Sequence, residues 1–143
     1  MNIRYATMAD LDDIASVEAE CFPVLETATK EEFEQRIKYY GNHFWLMFDN
    51  DKLIAFVDGF VTDEANLTDE MYENASMHNE NGAWQMIFGV NTLPEYRRCG
   101  YAKELIKKAI LDAREQNRKG LVLTCKESLV PYYSKFGFVD EGI

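Results

Sequence analysis

Residues Phe88–Ala102, FGVNTLPEYRRCGYA, decide how this chain reads. An apolar run beginning at Trp84 predicts a buried strand through Val90. A turn carrying Pro94 comes next, and Arg97-Arg98-Cys99-Gly100-Tyr101-Ala102 opens a helix. Ala102, Leu105, Ile106, Ala109, Ile110 and Ala113 recur at helical spacing, one apolar stripe over about three turns. The first turn of such a helix leaves backbone N–H groups unpaired and carries partial positive charge. Gly100 lets a ligand approach that backbone closely, and Arg97 and Arg98 stand beside it. The combination suits an anion such as phosphate or pyrophosphate. The Gly-Lys-Ser/Thr end of a P-loop and the G-x-G-x-x-G of a dinucleotide turn are both absent.

The surrounding composition narrows the field. A chain of 143 residues with 47% hydrophobic content supports one core, and one domain over residues 1–143 is expected. No run reaches membrane-spanning length. The start, MNIRYATMADLDD, lacks a basic and then apolar leader, so a cytoplasmic location is expected. Cys21, Cys99 and Cys125 are odd in number and widely separated. They read as reduced thiols, two of them buried, with Cys99 in the phosphate turn. His43 and His78 are far apart in sequence and predict no metal-ligand cluster. A net charge of −10 argues against nucleic acid as a partner. Residues 1–80 hold 5 Lys/Arg against 18 Asp/Glu, while residues 81–143 hold 10 against 7. A basic half suits a phosphorylated cofactor and an acidic half a cationic substrate.

In chain order, Met1 to Ala6 alternates as a first strand. Thr7 and Asp10 form an approximate capping box for a helix that ends at Phe22-Pro23. Thr29 caps a second helix, with Phe33 and Ile37 inward and Gly41 as its stop. His43–Phe48 and Leu53–Val61 predict a hairpin of strands apolar on both faces. Thr62–Gly82 is an acidic insertion with a short helix near Thr68–Asn74, long enough to serve as a lid. Gly120–Cys125 predicts a buried strand, Leu129–Lys135 a short helix capped by Ser128, and Phe136–Val139 the start of a last strand. The fold class is α/β (α+β), a mixed, mostly antiparallel sheet with helices on both faces.

Arg97-x-x-Gly100-x-Ala102, behind a strand and a proline, resembles the acyl-CoA pyrophosphate loop of the GCN5-related N-acetyltransferases, R/Q-x-x-G-x-G/A. Tyr133-Ser134-Lys135-Phe136-Gly137-Phe138 is similar to their second signature, Y-x-x-x-G-F. The resemblance covers nearly the whole chain. More narrowly, Leu123-Thr124-Cys125-Lys126-Glu127 running into Leu129-Val130-Pro131 looks like the arylalkylamine N-acetyltransferases and their bacterial relatives. Phe22-Pro23 with Glu31-Glu32-Phe33, and the insertion holding Leu67-Thr68, look the same way.

This resemblance implies an acyl-CoA N-acyltransferase fold and acetyl-CoA as cosubstrate, with no metal. It places the pantetheine arm against the strand edge Phe88-Gly89-Val90, where Gly89 suits a bulge that opens the sheet. It assigns to an N–H in that bulge, that of Phe88, the polarising of the thioester carbonyl. Arg97, Arg98, Cys99, Gly100, Tyr101, Ala102 and Lys103 would hold the pyrophosphate. Tyr133 would contact the cofactor and protonate the departing thiolate. The positions that match a histidine proton relay in the vertebrate enzymes are Trp84 and Met86, neither of which accepts a proton. Asp58, a carboxylate within an apolar strand, is the first candidate base from its own surroundings, and His78 the second. The family closes its sheet with a further strand, and the chain stops about a dozen residues short of it.

The acceptor expected is a primary amine with an apolar, arylalkyl body. Acidic groups would draw its ammonium, and Phe22, Phe56, Phe60, Tyr72 and Trp84 would line its cleft. A polyamine, a peptide N-terminal amine, or CoA binding without catalysis are the alternatives. No nucleic-acid or membrane partner is expected, and the protein reads as a monomer or homodimer.

Overall fold

Asp10 shows how closely local chemistry sets the first element boundary. Its carboxylate accepts the Thr7 N–H at 2.9 Å, and a single 3-10 turn leads from β1 (Asn2–Arg4) into α1 (Leu11–Cys21). The computed structural model describes residues 1–22, 27–125 and 127–139. In α2 (Lys30–Tyr40), Thr29 Oγ1 accepts the Glu32 N–H at 3.1 Å and the Glu32 carboxylate accepts the Thr29 N–H at 3.0 Å, a reciprocal cap. Gly41 ends this helix as expected.

β2 (Phe44–Asp49) and β3 (Lys52–Asp58) form the predicted hairpin through Asn50-Asp51, with Asn50 in the left-handed region at φ 55°. Both strands are buried on two faces, and β2 explains why. Phe44 packs edge-on to Phe33 of α2 with ring centroids 6.3 Å apart. Its neighbour Trp45 points the other way and donates Nε1–H to Asp112 at 2.8 Å. Asp112 lies on α4 (Tyr101–Glu115), so α1 and α2 cover one face and α4 the other.

The remaining elements are β4 (Val61–Thr62), α3 (Asp69–Glu73), β5 (Trp84–Ile87), β6 (Gly89–Thr92), β7 (Gly120–Leu123) and α5 (Val130–Ser134). Hydrogen-bonded strand order is β1-β2-β3-β6 in one sheet and β4-β5-β7 in the other. Every pairing is antiparallel except β5 with β7, which is parallel. The predicted strand Trp84–Val90 is therefore two strands. Met86 N–H donates to Phe60 O at 2.8 Å and Phe88 N–H to Asp58 O at 2.7 Å, but beyond them Asp58 pairs with Gly89. One extra residue has entered the ladder, a β-bulge at Phe88-Gly89. Upstream of it β5 stays with β7, downstream β6 stays with β3, and the sheet opens between β6 and β7.

The expected strand Leu53–Val61 is interrupted in the same place. A Cβ at Gly59 would lie 1.8 Å from Met86 O, so only glycine passes there. The strand expected at Phe136–Val139 is absent from the described residues. Gly137 (φ 95°) turns the chain instead. Ser128 does not cap α5, whose N-cap is Leu129 without a side-chain bond. Among the described residues no helix is long and apolar enough to cross a membrane.

Candidate active site

The turn expected to hold phosphate leads directly into α4, as its sequence predicts. Arg98 and Gly100 both take positive φ, 63° and 83°, turning backbone N–H groups outward ahead of the first turn of α4. A Cβ on Gly100 would meet nothing within 4 Å, so the approach to the helix N-terminus is open. Arg97 is anchored through Nε to Thr92 O at 3.0 Å. Arg97, Arg98, Cys99 and Lys103 are exposed, and Tyr101 and Ala102 are half-buried.

β6 is an edge strand, and its register decides which backbone groups it offers. Asp58, Val57, Phe56 and Ala55 pair with Gly89, Val90, Asn91 and Thr92 in turn. Leu93 N–H donates to Ile54 O at 2.9 Å, which puts the odd-numbered residues on the β3 side. Alternation turns the N–H and C=O of Val90 to the open edge. Phe88, expected to supply the polarising N–H, does not have it free. That hydrogen is held by Asp58 O at 2.7 Å because Phe88 still belongs to the upstream register.

On the α1–α2 face, Asp58 reaches a cleft of about 440 Å³ lined by Glu18, Phe22, Arg36, Tyr72, Phe88 and Gly89 among others. Asp58 is 1% exposed, and burial pushes its carboxyl up to about 6, more than the nearby Arg36 guanidinium draws it down. Arg36 donates Nη1–H to Asp58 Oδ2 at 3.1 Å and Nη2–H to Tyr72 O at 2.9 Å. Its guanidinium also lies 5.1 Å and 5.3 Å from the ring centroids of Phe33 and Phe88. The Tyr72 ring rests 4.8 Å from that of Phe88, so the acidic insertion lies over the bulge. Of the five expected cleft aromatics, Phe22 and Tyr72 line this cleft. Phe56 and Phe60 are wholly in the core, and Trp84 lines a different cavity.

That second cavity, of about 1080 Å³, is where Tyr133 is found, with β7, Cys125, Ile110 and Phe138. Burial raises the Tyr133 hydroxyl to about 12. Tyr133, on α5, and Asp58, at the end of β3, thus line separate cavities.

The two histidines correct another expectation. His43, His78 and Glu80 each present a ligand atom within 4.8 Å of the others. Glu80 accepts from His43 Nε2 at 2.9 Å, His78 Nε2 at 3.0 Å, Asn42 Nδ2 at 3.3 Å and Arg118 Nη2 at 3.0 Å. His78 Nδ1 accepts the Val61 N–H at 3.0 Å, so its Nε2 carries the hydrogen that Glu80 receives. His43 Nδ1 is paired with Gln85 Oε1 at 2.8 Å. Burial alone would raise Glu80; the bonds from His43, His78 and Asn42 bring it down to about 2. The cysteine expectation also changes. Cys99 and Cys125 are exposed, and only Cys21 is half-buried, donating Sγ–H to Thr92 O at 3.3 Å.

Three further groups were not anticipated: Glu18 and Arg36, which line the Asp58 cleft, and Asn91, bonded behind it to Glu18. Glu18 and Arg36 left a trace in the sequence, each being a charge on the inward stripe of an amphipathic helix. Asn91 lies one residue past the expected end of the strand at Val90 and left no trace.

Comparison with known proteins agrees with this geometry. The chain is 29% identical over 97 residues to serotonin N-acetyltransferase of Mesocricetus auratus, covering 66% of this chain and 45% of that protein. It therefore spans less than half the length of that relative. The loading GNATL domain of CurA from Lyngbya majuscula superposes with TM-score 0.80 at 22% identity, over 93% of this chain and 68% of that one. The GphF GNAT-like decarboxylase, in complex with isobutyryl-CoA, gives 0.79 at 21%, over 97% and 73%. The model of the acetyltransferase (GNAT) family matches residues 11–138. With that match over most of its length, a bulged and opened sheet, and a left-handed Gly100 at the head of α4, the chain belongs to the GNAT family of acetyltransferases.

Proposed function

We propose that this protein transfers the acetyl group of acetyl-CoA to a primary amine with an apolar, arylalkyl-like body. The observation that carries the reading is Asp58, a fully buried carboxylate raised to about 6, facing a cleft beside the bulge. A group with that value is ionised at neutral pH and can take a proton from an incoming ammonium. The cleft also gathers Glu18, Glu32 and Glu73, which attract a cation, and Phe22, Tyr72 and Phe88, which suit an apolar body.

The chain's own groups divide the work. Backbone N–H groups of residues 98–103 and the side chains of Arg97, Arg98 and Lys103 hold the pyrophosphate. Val90, with its N–H on the open edge of β6, takes the place expected for Phe88 and polarises the thioester carbonyl. The amine, freed of a proton by Asp58, forms the new N–C bond as the C–S bond breaks. Tyr133, raised to about 12, stays protonated throughout the neutral range. Its hydroxyl serves as hydrogen-bond donor to the departing sulfur, because a thiolate of pKa about 8.5 is too weak a base to remove its proton outright.

The test is release of free thiol from acetyl-CoA with phenethylamine, tryptamine, spermidine and a peptide with a free N-terminus. Phenethylamine or tryptamine should give the highest kcat/KM, with a rate that climbs as pH passes about 6 and Asp58 ionises. Spermidine or the peptide leading the panel would refute the acceptor class. Absence of thiol release with all four would refute acetyl transfer to these amines.

A further inference from the structure

Among the described residues, three buried side-chain polar atoms have no hydrogen-bond partner: Arg36 Nε, Tyr40 Oη and Asn91 Oδ1. All belong to the surroundings of Asp58. Arg36 grips its Oδ2, Tyr40 lies within the field of Asp58 and Arg36, and Asn91 shares with Asp58 the space over Gly89. Buried polar atoms are almost always paired, so a group of orphans around one carboxylate marks a place built for something else.

Asn91 is the informative member. Its Nδ2 donates to Glu18 Oε1 at 2.7 Å, and Glu18 Oε2 accepts the Ala28 N–H at 2.9 Å. A carboxylate oxygen in that position calls for the amide nitrogen, so the flip of Asn91 is set and Oδ1 is the atom left over. Asp58 is similar: Oδ2 accepts from Arg36, and Oδ1 has no donor among the described residues. Both acceptors lie over Gly89. A Cβ built on Gly89 would lie 3.3 Å from Asp58 Oδ1 and 3.6 Å from Asn91 Oδ1. Gly89 lines the Asp58 cleft, and Asn91, two residues along β6, shares its face.

We infer that the paired acceptors Asp58 Oδ1 and Asn91 Oδ1, over the bare backbone of Gly89, seat the ammonium group of the acceptor, an inference that rests on the acetyl-transfer reading above. One N–H of a primary ammonium donates to Asn91 Oδ1. A second gives its proton to Asp58 Oδ1, which becomes a neutral carboxylic acid, and the nitrogen keeps the electron pair for attack. No bond to carbon changes in this step. Asn91 is thus a positioning residue, orienting the nitrogen while Asp58 exchanges the proton. Glycine at position 89 leaves the room. The arrangement also selects by hydrogen count: a primary ammonium satisfies both acceptors, whereas a tertiary one has a single N–H and leaves one bare.

Calorimetric titration of phenethylamine and N,N-dimethylphenethylamine into protein saturated with CoA tests this without requiring turnover. The wild type should bind the primary amine at least tenfold more tightly than its dimethyl analogue. Gly89→Ala adds one methyl group at an extended position of β6, aimed at the two acceptors and away from the open edge. With CoA kept saturating, it should weaken phenethylamine at least tenfold and remove most of the preference over the dimethyl compound. Equal binding of the two amines by the wild type overturns the cradle and needs no variant to fold. So does unchanged phenethylamine affinity in a folded Gly89→Ala protein, and in either case acetyl transfer still stands if thiol release persists. Failure of the wild type to bind CoA would overturn both.

Discussion

Replacing Glu80 by glutamine should cost this protein stability in a pH-dependent way. Glu80 lies near the end of the acidic insertion, and its carboxylate gathers His43, His78, Asn42 and Arg118, tying the insertion to the start of β2 and to the residues after α4. These donors hold it at about 2 against an ordinary 4.5. At ~1.4 kcal/mol per unit, that difference sets a ceiling of ~3.4 kcal/mol. The side chain is 51% exposed, however, and solvent screening brings the expected contribution to ~1–2 kcal/mol. Because the folded value is depressed, the stabilisation is complete above the ordinary carboxylate range and is lost as pH falls from about 4.5 toward about 2. Urea titrations of both proteins at pH 7, 4.5 and 3.2 read this directly. With a slope of ~2 kcal/mol per molar urea, the wild-type midpoint should exceed that of Glu80→Gln by ~0.5–1 M at pH 7. The gap should be nearly as wide at pH 4.5 and roughly halved at pH 3.2. Coincident midpoints at pH 7, or a gap that does not narrow in acid, would refute the reasoning.

Two further outcomes follow from the cofactor side. Gly100→Glu should abolish acetyl-CoA binding, since it sets a carboxylate at an anion site and a Cβ at φ 83°; calorimetry with wild-type affinity would remove the phosphate-turn assignment. Tyr133→Phe keeps the packed ring and deletes only the donor, so kcat should fall ~10²-fold with the thermal melt almost unchanged, and an unaltered kcat in single-turnover assays would reduce Tyr133 to packing.

The glycine turn before α4, the amphipathic helix behind it and the hairpin were legible in the sequence, because each follows from local rules. Gly100 at a helix start, Thr29 with Glu32 three residues on, and the 3.6-residue stripe of α4 are all settled by neighbours within a turn or two of chain. Asp58 was also legible as an anomaly, an acid inside an apolar strand. Its surroundings were not. Arg36 reaches it across 22 residues, Glu18 reaches Asn91 across 73, and the two histidines meet across 35 through Glu80, distances over which no pattern of spacing carries information. The bulge shows the limit most clearly. Gly89 advertised one, but which N–H it would free depended on the register between β3 and the strand opposite. One residue of slip turned the N–H of Val90, rather than that of Gly89, to the open edge, while Phe88 kept its bond to Asp58 O. Pairing register is a property of two strands in contact and of the side chains packed around them, so it was decided only when the chain closed on itself.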